Sequence, residues 1–571
     1  MAVFSAGKHV LAWFKPYWLR RWRGISLVIL LTILSIAMST AYPLLFKYVI
    51  DSIIAGEATS TSQKFIWMIL GVGIARTFTR WLLPSTRYVM NLTLGKDIKL
   101  FHFDSVLKKK PTFFNKFRSG DLITRFSDDI DGDLKLSWFA NSGIMRPIEA
   151  GFTLLFSIAV MMTLHWKLTL IAVSPLPLII WIMSKTESIQ HKAYLQRQES
   201  TSQTNNILES AFSSLRIVIG YAMESAQGNL FKSNIEDRKS AEERVVFVRS
   251  LLESVGSLVN QIGLVIILFL GGFYVVNNII SMGDFYAFIA YMSGITEPIW
   301  TISWFFVSIN VAKVSVNRLE EIEQGENRDV KTSTIDSEVE SLETKNLTYK
   351  FPDEDDDVIR DISFSVRRGE KIGIVGEVGS GKTILLQLIS GWLTPDSGSV
   401  NINNHSLHTL NDESKASIIG YVPQEIQLFS GSLIENIHMG RLTDFEIDDI
   451  KKASVIGDEL SNDKIVEQGG IGLSGGQRAR AAIARAIYAK PPILILDDVT
   501  SALDLNTEKQ FWKALKRFNP EAMYLVATHR EATAEVMDRV IWIEKGEIYK
   551  VGTHHDLIKE YEFYRDLFAK E

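Results

Sequence analysis

Runs of about 20 apolar residues recur through the first 308 positions, separated alternately by short polar and long charged segments. A run of this length matches the ~20 residues that carry a helix across a bilayer's apolar core. Cores near 25–47, 65–83, 143–164, 168–187, 255–277 and 285–308 predict six membrane helices. The joining segments Asp51–Gln63, Leu164–Lys167 and Val276–Gly283 hold almost no Lys or Arg. The segments 88–140 and 185–250 are heavily charged, and the first contains Lys108-Lys109-Lys110. The positive-inside bias places the N-terminus and both long segments in the cytoplasm. Their helical periodicity predicts helices that continue well beyond the bilayer.

The pattern changes after the sixth core. Glu323 to Ser341 is polar, acidic and aperiodic, as a linker is. Beyond it, short apolar runs alternate with helical segments, the signature of an α/β domain. The predicted organisation is a membrane α-helical domain of six long helices over 1–322, a linker over 323–341, and an α/β phosphate-loop domain with a helical subdomain over 342–571.

Composition narrows the class. A chain of 571 residues exceeds one domain. Its net charge of −5 carries no basic excess on the scale that nucleic acid demands. Cysteine is absent, which excludes disulfides and Cys-ligated metal and fits a reducing compartment or a Cys-less engineered chain. The first apolar run, Ile25 to Leu45, is too long for a cleavable signal and is followed by others. Ahead of it, Lys8 to Arg23 mixes Trp13, Phe14, Tyr17 and Trp18 with Arg20, Arg21 and Arg23. This reads as an interfacial amphipathic helix, with a basic cytoplasmic tail as the alternative.

Candidate chemistry lies in the second half. The strand-like run Lys371 to Val375 leads into Gly376-Glu377-Val378-Gly379-Ser380-Gly381-Lys382-Thr383, and a helix follows. Glycines there let backbone N–H groups curl around phosphates, Lys382 reaches the outer phosphate oxygens, and the Thr383 hydroxyl suits Mg²⁺. Farther on, Ser474-Gly475-Gly476-Gln477 opens an Arg/Ala-rich helix, and a helix N-terminus is a ready anion site. The apolar run Ile493 to Leu496 ends in Asp497 and Asp498, at the end of a parallel strand where α/β sheets place their chemistry.

The LSGGQ turn followed by a strand ending in Asp resembles the signature motif and Walker B strand of ATP-binding-cassette (ABC) transporters, and the likeness extends over essentially the whole chain. Six spans with two long cytoplasmic extensions resemble the type I exporter membrane domain. Phe113-Phe114-Asn115 after Thr112, with Ser119 to Arg125 and Asp128-Asp129, resembles the first intracellular loop, whose short coupling helix docks on a nucleotide domain. Glu209, Leu215 to Val218, Tyr221 and Glu224 resemble the second.

The resemblance implies further roles. Phe351, after Tyr349-Lys350 and before Pro352, matches the residue that stacks on adenine, with Tyr349 a sheet residue. The acidic run Asp353 to Asp357 is a solvated loop tip. Gln424 after Tyr421-Val422-Pro423 matches the Q-loop, touching Mg²⁺ or the attacking water. Ser501-Ala502-Leu503-Asp504 matches the D-loop and His529 the switch histidine. Glu467 falls in the loop that meets coupling helices, and the stretch between Gln424 and Ser474 looks short for the family, which bears on the assignments between Arg441 and Gly472. Mg²⁺ falls to Thr383, Gln424 and Asp497; catalysis falls to Asp498, His529 and Gln424. Family members usually carry Glu where this chain has Asp498. The loop GEVGSGKT with Asp497-Asp498 also resembles the weakly hydrolytic nucleotide domain of the multidrug-resistance-associated subfamily and one subunit of bacterial heterodimeric exporters.

The expected protein is thus a plasma-membrane, multi-pass half-transporter that uses MgATP to move a small amphipathic drug, lipid or peptide outward. Its partner would be a second half-transporter with a Walker B Glu, completed by Ser474 to Gln477 of this chain. A homodimeric lipid or peptide exporter and an ATP-gated receptor or channel are the other readings. Inside the predicted spans lie Arg76, Arg80, Arg146, Glu149 and Glu297. Arg146 and Glu149, three residues apart, can pair on one helix. Arg76 and Arg80 either pair with another helix or line a cavity for polar or anionic substrates.

Overall fold

The computed structural model describes residues 2–568 except 57–58, 112, 118, 133–134, 329–330, 336–337, 352–355, 442–445 and 458–459. Thr112, Pro352, Asp353 to Asp355 and parts of the predicted linker therefore lie outside the described residues. Two compact units divide the chain, Met1–Asn327 and Arg328–Glu571.

The first unit is helical. Its main elements are α1 (Ala2–Arg20), α2 (Trp22–Ile54), α3 (Thr59–Leu107), α4 (Ser119–Asp131), α5 (Ile144–Val173), α6 (Leu176–Ser213), α7 (Glu224–Ile266), α8 (Met282–Ser293) and α9 (Thr296–Gln324). With 49 residues, α3 is about 74 Å long at 1.5 Å per residue, more than twice a ~30 Å apolar core. The apolar face of α1 is covered by protein, for Val10 and Phe14 are fully buried. Its end is fixed where Trp18 Nε1 donates to the Ala140 carbonyl at 2.8 Å and Arg21 donates twice to Asp97, at 2.6 and 2.8 Å.

Among the described residues, five helical segments are long and apolar enough to cross a membrane: Trp22–Ile54, Gln63–Leu107, Ser119–Val173, Glu224–Val276 and Met282–Gln324. Six were expected, and the difference lies in the fourth core, 168–187. His165 is non-helical (φ −160°, ψ 100°), which places a turn where Leu164–Lys167 predicts one. The His165 ring Nδ1 then accepts from the Leu168 N–H at 3.2 Å. The chain breaks again at Ser174-Pro175, so the fourth core's apolar residues are divided between α5 and α6. Lys185, Glu187 and Lys192 follow along α6, and neither 168–173 nor 176–184 is by itself long enough to cross a bilayer. The sixth core is broken too, at Gly294-Ile295 between α8 and α9.

Beyond the predicted spans, the first long segment is tied to the end of α9. Arg318 bridges Asp121 (2.7 Å) and Asp129 (2.6 Å), and Arg125 meets Asp121 (2.8 Å) and Glu321 (2.9 Å). Lys109, buried, donates to the Glu323 and Gly325 carbonyls at 2.8 and 2.6 Å. Each buried charge here has an opposite charge or a carbonyl beside it, which is the condition for keeping it out of water.

The second unit is built on three sheets. Strands β1 (Ser341–Tyr349), β2 (Ile359–Arg367), β4 (Ser397–Ile402) and β5 (His405–Ser406) form an antiparallel sheet in the order β2-β1-β4-β5. A six-stranded sheet runs β12-β11-β3-β10-β9-β6, from β3 (Lys371–Val375), β6 (Ile419–Val422), β9 (Ile493–Asp497), β10 (Met523–Ala527), β11 (Arg539–Glu544) and β12 (Glu547–Gly552). All its pairings are parallel except β11 with β12. Strands β9 and β10 are buried along their whole length, as unbroken apolar strands covered on both faces should be. The pair β7 (Gly431–Ser432) and β8 (Ile465–Val466) adjoins helices α11 (Leu433–His438) and α12 (Ile447–Ala453) within the stretch that looks short in sequence. Leu433, Ile437 and Ile450 there share a core with Ala479 and Ile483 of α13 (Gly475–Ile487).

Candidate nucleotide-binding site

The parallel strands β3, β9, β10 and β6 end on one edge of the sheet, and each delivers a candidate residue there. After β3 the loop 376–381 turns into α10 (Lys382–Ile389). The turn needs glycine: Gly379 and Gly381 have φ of 83° and 99°. A Cβ on Gly376 would lie 2.3 Å from the Ile543 carbonyl oxygen. The Lys382 ammonium folds back and donates to the Gly376 and Glu377 carbonyls, both at 2.8 Å. Burial brings its pKa down to about 8, against the opposing pull of Asp498 and Asp497. Inside the cradle the Ser380 hydroxyl is buried, with no hydrogen-bond partner among the described residues. A concave glycine loop, an unsatisfied hydroxyl, a lysine and a helix N-terminus together fit a phosphate chain.

Asp497 ends β9, paired with Ala527 of β10, and its carboxylate accepts from the Thr383 hydroxyl at 3.2 Å. Burial pushes its pKa up, and neighbouring Asp498 adds to the rise, while Thr383 and Lys382 oppose it. Thr383 and Asp497 thus present two oxygen donors side by side, the hard-ligand chemistry that suits Mg²⁺. Asp498 is held left-handed (φ 49°, ψ 30°), a conformation that Asp adopts more readily than most residues. Its N–H donates to the Ala527 carbonyl at 3.0 Å, and its carbonyl accepts from the Ser501 hydroxyl at 2.6 Å. Half-buried His529 follows β10, one residue beyond buried Thr528. Gln424 is exposed two residues past β6, and Phe351 sits half-buried after β1 with its ring edge-on to Tyr349, centroids 5.5 Å apart.

The Ser474 turn is a separate feature. Ser474 caps α13 by accepting from the Gln477 N–H at 3.2 Å, while its own N–H donates to Gln477 Oε1 at 3.0 Å. This reciprocal box leaves Ser474 and Gly475 exposed. Among the described residues no hydrogen bond or ion pair joins positions 474–477 to the phosphate loop at 376–383. Asp504 caps α14 (Leu505–Phe518), accepting from Asn506 N–H at 3.1 Å and Thr507 N–H at 3.0 Å.

Two groups of residues escape the motifs. Arg530, next to His529, donates to the Thr500 and Leu503 carbonyls at 2.8 and 2.7 Å and to buried Glu508 at 2.6 Å. It clasps the 500–504 segment to the end of β10; an Arg beside a switch-type His and a Glu four residues past Asp504 are the only trace of it in the sequence. The second group corrects an expectation. Glu149 does not pair with Arg146 on α5. It meets Arg87 of α3 at 2.8 Å and accepts from Ser35 of α2 at 2.7 Å, because the packing of α2 and α3 on α5 offers it two partners at once.

A phosphate loop at the C-terminal edge of a parallel sheet, on one chain with a bundle of bilayer-length helices, defines a membrane-embedded ATPase. Residues 25–299 match the family model of the ABC transporter transmembrane region and residues 359–501 that of the ABC transporter. The chain belongs to the ABC transporters: it is a multi-pass, ATP-hydrolysing membrane protein whose ATPase domain is cytoplasmic. It is 28% identical over 585 residues to the Bacillus subtilis protein YheI, named "Probable multidrug resistance ABC transporter ATP-binding/permease protein", covering 100% of this chain and 98% of that one. The "Uncharacterized ABC transporter ATP-binding protein YfiB" of the same bacterium is 28% identical over 577 residues, 98% of each chain. The "Multidrug resistance-like ATP-binding protein MdlA" of Buchnera aphidicola is 27% identical over 567 residues, 97% of each.

Proposed function

We propose that this chain is one half of an ABC exporter that pairs with a different half-transporter and moves amphipathic drugs, lipids or peptides outward. Two relatives that it matches almost end to end are named for multidrug resistance, which supports cargo of this kind. In this reading ATP lies between two nucleotide domains, on the phosphate loop of one and the signature turn of the other. Phe351 stacks on the adenine, and loop 376–383 takes the phosphates. Thr383, Asp497 and Gln424 hold Mg²⁺, which neutralises charge on the phosphate oxygens, and His529 contacts the outermost phosphate. The segments around Phe113–Asp129 and Glu209–Glu224, with Glu467, carry the nucleotide domain's movement to the membrane helices.

Asp498 carries the proposal of unequal sites. The family's Glu at this position orients the attacking water within hydrogen-bond reach. Asp is one methylene shorter, a deficit of roughly 1.5 Å. A misplacement of about 1 Å can cost ~10²-fold in rate. The site on this chain's phosphate loop therefore holds ATP and hydrolyses it slowly. The exposed, fully capped Ser474 turn completes the partner's fast site.

The test is ATP hydrolysis by the assembled dimer. Changing the partner's catalytic Glu to Gln should nearly silence the complex, whereas Asp498→Asn should leave most of the activity. Equal halving by the two changes would reject unequal sites and favour a homodimer.

A further inference from the structure

Three arginines of the membrane domain stand apart from its ion pairs. Counted from Phe65, Arg76 lies about 17 Å along α3 and Arg80 about 23 Å, at 1.5 Å per residue. A bilayer's apolar core is ~30 Å thick, so Arg76 sits near its middle and Arg80 on the cytoplasmic side. Arg146, near the start of the third predicted span, is exposed and within electrostatic range of Arg87. None of the three has an acid within ion-pair distance among the described residues. Three acids of the membrane helices have partners of their own. Glu149 holds Arg87 and Ser35, while Asp51 and Asp284, at the far end of α2 and the start of α8, share Lys47 at 3.3 and 3.2 Å. Glu297 is exposed at the start of α9.

An arginine at mid-membrane cannot face hydrocarbon cheaply, so Arg76 must meet water or a partner of opposite charge. Its surroundings are aromatic. The Arg76 guanidinium lies over the Tyr42 ring, 5.0 Å from the centroid. Tyr42 meets Phe46 at 5.0 Å, and Phe46 meets Tyr286 of α8 at 5.5 Å. On α2 these rings run from the level of Arg76 toward the outer end, and Tyr286 is exposed. A charged head beside an apolar track is the complement of an amphiphile.

We infer that Arg76 and Arg80 bind the anionic head of a transported amphiphile, a carboxylate, sulfonate or phosphate, with its apolar part along Tyr42, Phe46 and Tyr286. The inference rests on the exporter reading and narrows it to anionic cargo. The guanidinium supplies planar paired donors to the anion, and the uncompensated charge of Arg76 and Arg80 repels a cationic head. Arg146 adds positive potential at the cytoplasmic approach.

The assembled transporter in nanodiscs of zwitterionic phosphatidylcholine would be titrated with two probes of one alkyl length, dodecyl sulfonate and dodecyl trimethylammonium, following intrinsic tryptophan quenching. The sulfonate should bind roughly tenfold or more tightly than the ammonium, the scale of one or two charge-assisted hydrogen bonds. Exposed Arg80 tolerates substitution, and Arg80→Gln should weaken sulfonate binding by several fold without weakening the ammonium. Arg76→Lys, which keeps the charge and loses the fork, should fall between wild type and Arg76→Gln. Equal affinities for the two probes, or sulfonate affinity unmoved by both substitutions, overturns the inference. A charge preference that appears only when the nanodisc itself contains phosphatidylglycerol assigns the arginines to bulk lipid and also overturns it. Failure of the exporter reading would look different: no ATP hydrolysis that depends on Lys382, whatever the probe.

Discussion

Arg530 and Glu508 form a buried ion pair at 2.6 Å, with the Glu508 side chain only 2% exposed and the Arg530 side chain 18% exposed. The same carboxylate accepts from the Thr533 hydroxyl, and Thr533 in turn lies 3.0 Å from the Thr500 hydroxyl. The turn after β9 and the segment that carries His529 are thereby fixed to each other.

Removing one member of such a pair leaves the other charge buried and uncompensated, which costs about 3–5 kcal/mol. Arg530→Ala should therefore lower the unfolding midpoint of the nucleotide domain markedly. Adding Glu508→Gln to it should recover a large part of the loss, because the stranded charge is gone. The thermal-unfolding double-mutant cycle measures this, and additive losses would show that the pair contributes nothing as a unit.

Lys382 has its donors parked on the Gly376 and Glu377 carbonyls, ready to exchange them for phosphate oxygens. Lys382→Ala should abolish ATP binding at this chain's own site. Photo-labelling with 8-azido-ATP, scored on this chain in the assembled dimer, reads the outcome; undiminished labelling would dismiss the phosphate loop as the binding element.

The depressed pKa of Lys382, about 8, fixes the sign of a pH effect. Above that pH the empty site loses its ammonium. Bound phosphates favour the charged form and raise the pKa again, so ATP binding takes up a proton between about pH 8 and the ordinary lysine value near 10.4. Affinity should fall roughly tenfold between pH 7.5 and 9. Calorimetry at pH 8.5 in two buffers of different ionisation enthalpy should show net proton uptake on ATP binding, and heats equal in the two buffers would refute it.

In the proposed dimer the turn's donors serve the other site, so Ser474→Arg should leave this chain's own nucleotide binding intact and cut turnover on the order of tenfold or more. The lost cap costs α13 about 1 kcal/mol, which Ala479, Ile483 and Ile487, all buried, can absorb. Steady-state hydrolysis alongside ATP-binding affinity separates the two effects; a parallel loss of both would mean that the helix itself had been damaged.

Local patterns made much of this protein legible. Apolar runs of bilayer length and the bias of Lys and Arg predict the membrane helices and their orientation, since burying charge in hydrocarbon is costly wherever the helices pack. The phosphate loop is equally readable, because its φ values of 83° and 99° at Gly379 and Gly381 demand glycine at fixed places. The fourth span is less so: its apolar total is right, but Ser174-Pro175 interrupts the helix.

Partner choice among charges was decided only by the tertiary structure. On sequence spacing Arg146 is the natural partner of Glu149, yet Arg87 and Ser35 take it from two other helices, at 2.8 and 2.7 Å. Arg530 and Glu508, 22 positions apart, carry no spacing signal at all. The aromatic track from Tyr42 to Tyr286 joins residues more than 200 positions apart. A motif written in consecutive residues encodes the conformation of its own backbone. A contact between distant residues depends on where packing brings two helices together, and the chain specifies that only through the whole core.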